Sequence, residues 1–467
     1  MRSLILLIFF CNSVLAITES QKVTSVYDPN FDVDSNVARF ARSVDISDGF
    51  SVIGNPFHNY NCCEIGHPFM PPSVYIYKKN QTYFWEIYQK LIPSDQGSSG
   101  SNFGVGVAIS SNSQKSIAVF DRCSNGFYPH IVGNGTANTC RSAIYIFEMN
   151  MDGFWEETQK ITPGENESDW GAEDCNTCIV NLEIYSNTLV LGNKIEENKN
   201  ERVGGILIFE RDPNGVWNRI QTIYGQADSN YPSDIDIHND KIIASDTYDS
   251  ENHSRSGAVF FYEKSGPFWY ESQRIIPNDN YESQHFGRSI SLSDINIFVG
   301  DSGTGVPGSA YVFSLDKVDL SWYQSQKILA PISYTNNSFG TNVTIDNNAA
   351  VIAAPHPRSL TDPPNHLTGY AHLYLRDENG FWTERDILTV ADDTNTGFGI
   401  DAIAISKGDV IIGHDRKREN NLNWWGAAYF YNSNQLLTNI PAIGGVGLLA
   451  LGLSILGFGT VRSRQKS

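Results

Sequence analysis

Short apolar runs of four to six residues alternate with polar turns along most of the chain, and their order repeats. After Phe103 and Gly104 comes an alternating run through Val107 and Ile109, a polar turn, and then Ile117 to Val119. A long polar loop follows, then Ala143 to Phe147, then Asp152 and Gly153, Trp155, and Gln159 to Ile161. Period-two and β-branched runs bounded by Asp-Gly or Asn-Gly pairs predict strands joined by hairpins. Each copy therefore reads as one four-stranded antiparallel sheet.

The order returns with copies starting near residues 40, 103, 178, 231, 286, 339 and 398, at intervals of 53 to 75 residues. One such sheet cannot bury both faces alone. Sheets stacked radially cover one another and leave no long free edge. The expected fold is thus all-β: a seven-bladed β-propeller of four-stranded antiparallel blades. The starting Phe, its Gly and the late Trp are read as packing residues, with the Gly letting inner strands crowd around a central channel. The copy near 398 ends at Tyr431 without a Trp or a Gln-Lys strand. Gln21 to Thr24 match Gln159 to Thr162 in type and order, so a strand over 21–26 is expected to complete the last blade.

The two ends predict a route to the cell surface. Arg2, the apolar run Leu4 to Phe10, and the small residues Val14 and Ala16 read as a signal peptide over 1–16. The propeller is assigned to 17–439. From Ala442 to Val461 the chain is uncharged, and Arg462, Arg464 and Lys466 follow. A span of that length can cross a bilayer, so 440–467 is read as a transmembrane or sorting tail. The expected localisation is secreted or at the cell surface, with the membrane as partner through the tail.

A net charge of −19 argues against nucleic acid. Six of the seven cysteines lie beyond the signal peptide: Cys62, Cys63, Cys123, Cys140, Cys175 and Cys178. In an oxidising compartment they are disulfide candidates, of open connectivity.

Phe103-Gly104, Phe286-Gly287, Phe339-Gly340 and Phe398-Gly399 recur with Gly54-Asn55-Pro56 and Ala353-Ala354-Pro355 at the later position. This pattern resembles the FG-GAP repeats of integrin α-chain-like propellers. The resemblance implies adhesion or ligand binding, and in some members Ca2+ held in an Asp-rich loop. That loop is missing here, and no cofactor is expected. Ca2+ stays open only through Asp32, Asp34 and Asn36, which have ligand-like spacing but precede the first blade. The tail, from Ile440 and Pro441 onward, resembles the PEP-CTERM and IPTL-type sorting signals of bacteria.

Strand parity puts the second-to-third loops and the blade-to-blade connections on one face. These loops are long, over 56–72, 121–142, 246–256, 355–368 and 414–425. Long loops on a rigid scaffold are where binding residues collect. Tyr60, Tyr128, Trp424 and Trp425 supply stacking surface there, and Arg416 and Arg418 supply charge. They are the candidate ligand-binding residues. No nucleophile elbow, zinc-protease motif or phosphate loop occurs, and no catalytic or metal residue is assigned. The expected function is non-catalytic binding of an extracellular glycan or protein. A polysaccharide-acting hydrolase and a structural surface or matrix component are the alternatives.

Overall fold

The computed structural model describes residues 15–24, 37–58, 72–95, 101–110, 115–122, 124, 141–164, 170, 181–198, 201–226, 229–302, 308–330, 339–355, 369–389, 402–414, 418–419, 422–424 and 426–432. Seven antiparallel meanders make the ring. From the inside outward, blade 1 runs Val44–Ser47, Phe50–Asn55, Ser73–Lys79 and Trp85–Leu91. Blade 2 spans Gly106–Ser110 to Trp155–Ile161, blade 3 Asn181–Tyr185 to Trp217–Tyr224, and blade 4 Ile235–His238 to Phe268–Ile275. Blades 5 and 6 run from Ile290–Leu292 to Trp322–Leu329 and from Val343–Asp346 to Trp382–Thr389.

Blade 7 is shared between the chain ends. Its inner strands are Ala402–Ser406, Asp409–His414 and Ala427–Tyr431. The outermost is Gln21–Thr24, antiparallel, with Gln21 opposite Phe430 and Thr24 opposite Ala427. The expected closure is present. One addition was not foreseen: Leu15–Thr18 runs parallel beside the outer strand of blade 6, making that sheet five-stranded.

The core is seven apolar clusters, each wedged between adjacent blades. Six of them contain the Trp of the later blade. Trp85 stacks on Phe430 of blade 7 with centroids 4.8 Å apart, and Trp382 meets Phe298 of blade 5 edge-on at the same distance. The cluster between blades 6 and 7 has no Trp.

The glycine after the starting Phe works differently from the expectation. It sits in the turn before the innermost strand, with φ +91° at Gly104 and +85° at Gly340. Its carbonyl presses on a glycine of the preceding blade's second strand. A Cβ at Gly54 would lie 2.1 Å from the Gly104 oxygen, and one at Gly300 1.9 Å from the Gly340 oxygen. The two glycines of the motif let neighbouring backbones touch.

A second link between blades comes from glutamine. Gln159 Nε2 donates to the Trp217 carbonyl at 2.9 Å, and the Trp217 N–H donates back to Gln159 Oε1 at 2.8 Å. The same two-way pair joins Gln21 to Trp85, Gln89 to Trp155, Gln221 to Trp269, Gln273 to Trp322 and Gln326 to Trp382. Asp386 stands at the glutamine position of blade 6, facing a blade without Trp.

Candidate functional site

Inner strands of adjacent blades splay around the axis and cannot pair backbone to backbone. Short polar side chains bridge them. Asp45 Oδ2 accepts the N–H of Ile109 in blade 2 at 2.7 Å, and its Oδ1 accepts that of Ile46. Asp234 and Asp236 accept the N–H groups of Ile290 and Leu292 in blade 5 at 2.8 and 2.6 Å. Ser289 and Ser291 repeat this toward Val343 and Ile345 of blade 6. Glu183, at the matching place in blade 3, makes no hydrogen bond among the described residues and faces the axis beside these acids.

The carboxyls feel their crowding. Burial raises Asp45 and Asp234 to about 7, partly opposed by the N–H groups they accept. Asp236 rises to about 6 for the same reason. Burial also raises Glu183 well above the usual range, and the charges of Asp236, Asp45 and Asp234 add to it. Three of the four acids are thus committed to holding the ring together. Among the described residues no group of three His, Cys, Asp or Glu could hold a metal ion.

The long-loop face carries a second arrangement, built by the loop after Lys241–Asp246 in blade 4. Asp246 Oδ1 accepts the N–H groups of Asn230 and Tyr248 and anchors the loop base. Backbone bonds then stitch the loop to the connection into blade 5. Ser283, His285 and Phe286 donate to the carbonyls of Ser254, Arg255 and Ser256 at 2.8, 3.2 and 3.0 Å. Arg274 pairs with Asp249 and with Glu251.

This stitching holds three side-chain-bearing residues in the left-handed region: Arg255, Ser283 and His285, with φ of 49°, 58° and 56°. Such conformations persist only where surroundings over-determine them. The result is a fixed surface group. The Arg255 guanidinium lies 4.9 Å from the centre of the Tyr248 ring, and the His285 ring lies 5.7 Å from it. Tyr248 is 42 % exposed. Burial, then Arg255, lowers the His285 pKa, keeping the imidazole neutral and Arg255 the lasting charge of the group.

The sequence-predicted ligand residues fall elsewhere. Tyr60, Tyr128, Arg416 and Trp425 lie outside the described residues. Arg418 and Trp424 sit on a short hairpin, Arg418–Glu419 with Leu422–Trp424, whose side chains also lie outside them. All six cysteines, Asp32, Asp34, Asn36 and the tail lie outside as well. Among the described residues no helix is long and apolar enough to cross a membrane. Sequence reasoning assigned Asp246–Ser256 to the binding face but missed Tyr248 and Arg255. The signal was an aromatic and a cation seven positions apart in a loop of fixed base.

Seven four-stranded blades, the last closed by Gln21–Thr24, define the chain as a seven-bladed β-propeller. Residues 269–313, from the outer strand of blade 4 through the third strand of blade 5, match the family model described as FG-GAP repeat. The match and the seven blades together support an FG-GAP β-propeller. No curated protein matches the chain. Among solved structures, it is similar to a putative 6-phosphogluconolactonase from Bacteroides uniformis, with 11 % identity and a TM-score of 0.46, covering 75 % of this chain and 85 % of that one. It is also similar to the β-propeller domain of the trilobed protease from Pyrococcus furiosus, at 10 % and 0.45, covering 84 % and 95 %. A third is Trypanosoma rangeli sialidase in complex with the inhibitor DANA, at 10 % and 0.40, covering 97 % and 63 %.

Proposed function

We propose that the chain is a non-catalytic, surface-exposed binding propeller whose long-loop face recognises an extracellular glycan or protein. The observation that carries this reading is the Tyr248, Arg255 and His285 group, fixed by backbone bonds and left-handed residues before any ligand arrives. Pre-organisation removes ordering cost from binding. An aromatic face with a guanidinium beside it suits stacking on a sugar ring together with a bidentate contact to a carboxylate. It also stands out as cationic on an acidic protein, which favours an anionic ligand.

The test is a panel of acidic and neutral glycans and matrix proteins presented to the chain, with Tyr248→Ala and Arg255→Ala as variants. Binding to an acidic member should fall about tenfold or more in either variant. Equal binding by wild type and both variants would remove the group from the recognition surface. Among the described residues, the hydrolytic alternative has Glu183 as an uncommitted axial acid, raised in pKa as a general acid requires. Polysaccharide cleavage by the wild type, lost in Glu183→Gln, would replace the binding reading with that one.

A further inference from the structure

The opposite face of the ring carries an array that neither the fold nor the binding site uses. Each complete blade has a turn between its third and fourth strands, and an apolar side chain projects from every one. They are Phe84, Phe154, Val216, Phe268, Leu320 and Phe381, exposed by 56, 53, 43, 62, 62 and 58 %. Met151 and Val318, at two of the same tips, are almost wholly exposed.

The turns are built to hold these groups in water. In blade 2, Asn150 Oδ1 accepts the N–H groups of Asp152 and Phe154, and the Asn150 N–H donates to the Phe154 carbonyl at 2.8 Å. Asn80, Asp212 and Asp377 cage Phe84, Val216 and Phe381 in the same way. Such a cage fixes the residue against collapse onto the blade. Three cations near the tips are neutralised in pairs: Lys79 with Asp409, Arg211 with Glu148, and Lys264 with Glu210, at 2.5 to 2.7 Å.

The chain itself points to what covers this face. Blade 7 has no such hairpin, because its third strand ends at Tyr431 and the fourth comes from the other chain end. Asn432 therefore leaves the ring at the seventh position of the array. Its Nδ2 donates to the Tyr83 carbonyl at 2.9 Å, and its Oδ1 accepts from the Trp85 indole at 3.3 Å. Residues 433–439 alone separate it from the apolar segment that starts at Ile440. That many residues reach at most about 25 Å.

We propose that the hairpin face rests on a lipid bilayer, with the six apolar tips seated in the headgroup region around the point where the tail enters it. Scattered apolar side chains fixed on one face suit an interface rather than a protein groove. The neutralised pairs and the net charge of −19 select a zwitterionic surface over an anionic one. This goes beyond the long-loop reading and does not depend on it.

Hydroxyl-radical footprinting of the full chain in phosphatidylcholine vesicles tests the proposal. Met151, Phe154, Phe268 and Phe381 should oxidise several-fold more slowly than Tyr248 and Tyr281 on the other face. In a chain carrying Phe84→Ser, Phe154→Ser, Phe268→Ser and Phe381→Ser, Met151 oxidation should rise about fivefold while Tyr248 stays unchanged. Failure of the chain to join the vesicles, tips as reactive as Tyr248, or equal tip protection without lipid, which would mean self-association, would each overturn it. A failed glycan screen leaves this result untouched.

Discussion

Removing one glutamine should loosen one blade boundary by a predictable amount. Gln159→Ala deletes both hydrogen bonds to Trp217 and leaves its N–H and carbonyl without their partner. A lost bond costs about 0.5 to 1.5 kcal/mol, and an orphaned buried group about 1 to 3. The pair is half-buried, so about 2 to 4 kcal/mol is expected. Unfolding entropy near 2.1 cal/mol/K per residue over roughly 400 residues gives about 0.85 kcal/mol/K, so the midpoint should fall by about 2 to 5 °C. Calorimetry on the purified chain measures it. Asp386 supplies the internal control. It occupies the glutamine place but its buried Oδ2 has no hydrogen-bond partner among the described residues, with Arg385 Nε 3.5 Å away as its ion-pair partner. Burial raises its pKa. Asp386→Asn should therefore be neutral or slightly stabilising. A Gln159→Ala midpoint within 1 °C of wild type, or an Asp386→Asn loss as large as that of Gln159→Ala, would refute the idea that these pairs bind blade to blade.

Other outcomes follow from the axis and the closure. Asp45, Asp234 and Asp236 are raised in the folded ring, so their contribution is complete below about pH 4 and is lost as pH rises through about 6 to 7. The melting midpoint should fall between pH 5 and pH 8, and Glu183→Gln should flatten that fall by removing one charge; a steeper slope in the variant would sink the account. Val23→Ala trims a half-buried side chain of the closing strand that packs on the cluster between blades 7 and 1, and should destabilise the chain by about 1 kcal/mol, read by denaturant titration. An unchanged midpoint would mean that this packing adds nothing to closure.

Much of the ring could be read from the chain because blade packing imposes one repeating demand. A strand buried on both faces needs an apolar run, and the outermost strand needs a large plate, so Trp155, Trp217 and Trp322 recur in register. The closure was legible because Gln21 to Thr24 carry the missing strand's own pattern. What stayed hidden depends on neighbours distant in sequence. The role of Gln159 rests on a partner 58 positions away. Asp45 carries no local sign that the splay of inner strands makes it an acceptor for the next blade. The left-handed backbone at Arg255 and His285 leaves no mark on composition. The long loops with Tyr60, Tyr128 and Trp425 have no periodicity to read. The exposed tips were within reach: where Trp155 must face inward, period-two alternation turns Phe154 out.

That parity joins the ring's stability to its surface. The tip residue directly precedes the Trp in five blades, and the Trp backbone is held by the glutamine of the blade before. In four of these five the Asx cage fixes the tip from one side, and the Gln pair fixes it from the other. Tyr88 adds a third hold in blade 2: its hydroxyl donates to the Gly153 carbonyl at 2.6 Å, and its ring stacks on Phe154 at 6.4 Å. A tip therefore cannot shift without disturbing the boundary behind it. Gln89→Ala, at the boundary that carries Trp155, should consequently raise both the unfolding tendency and the exchange rate of the Phe154 amide. A variant that destabilised the chain while leaving that amide protected would separate the two and show that the tips are held by their own turns alone.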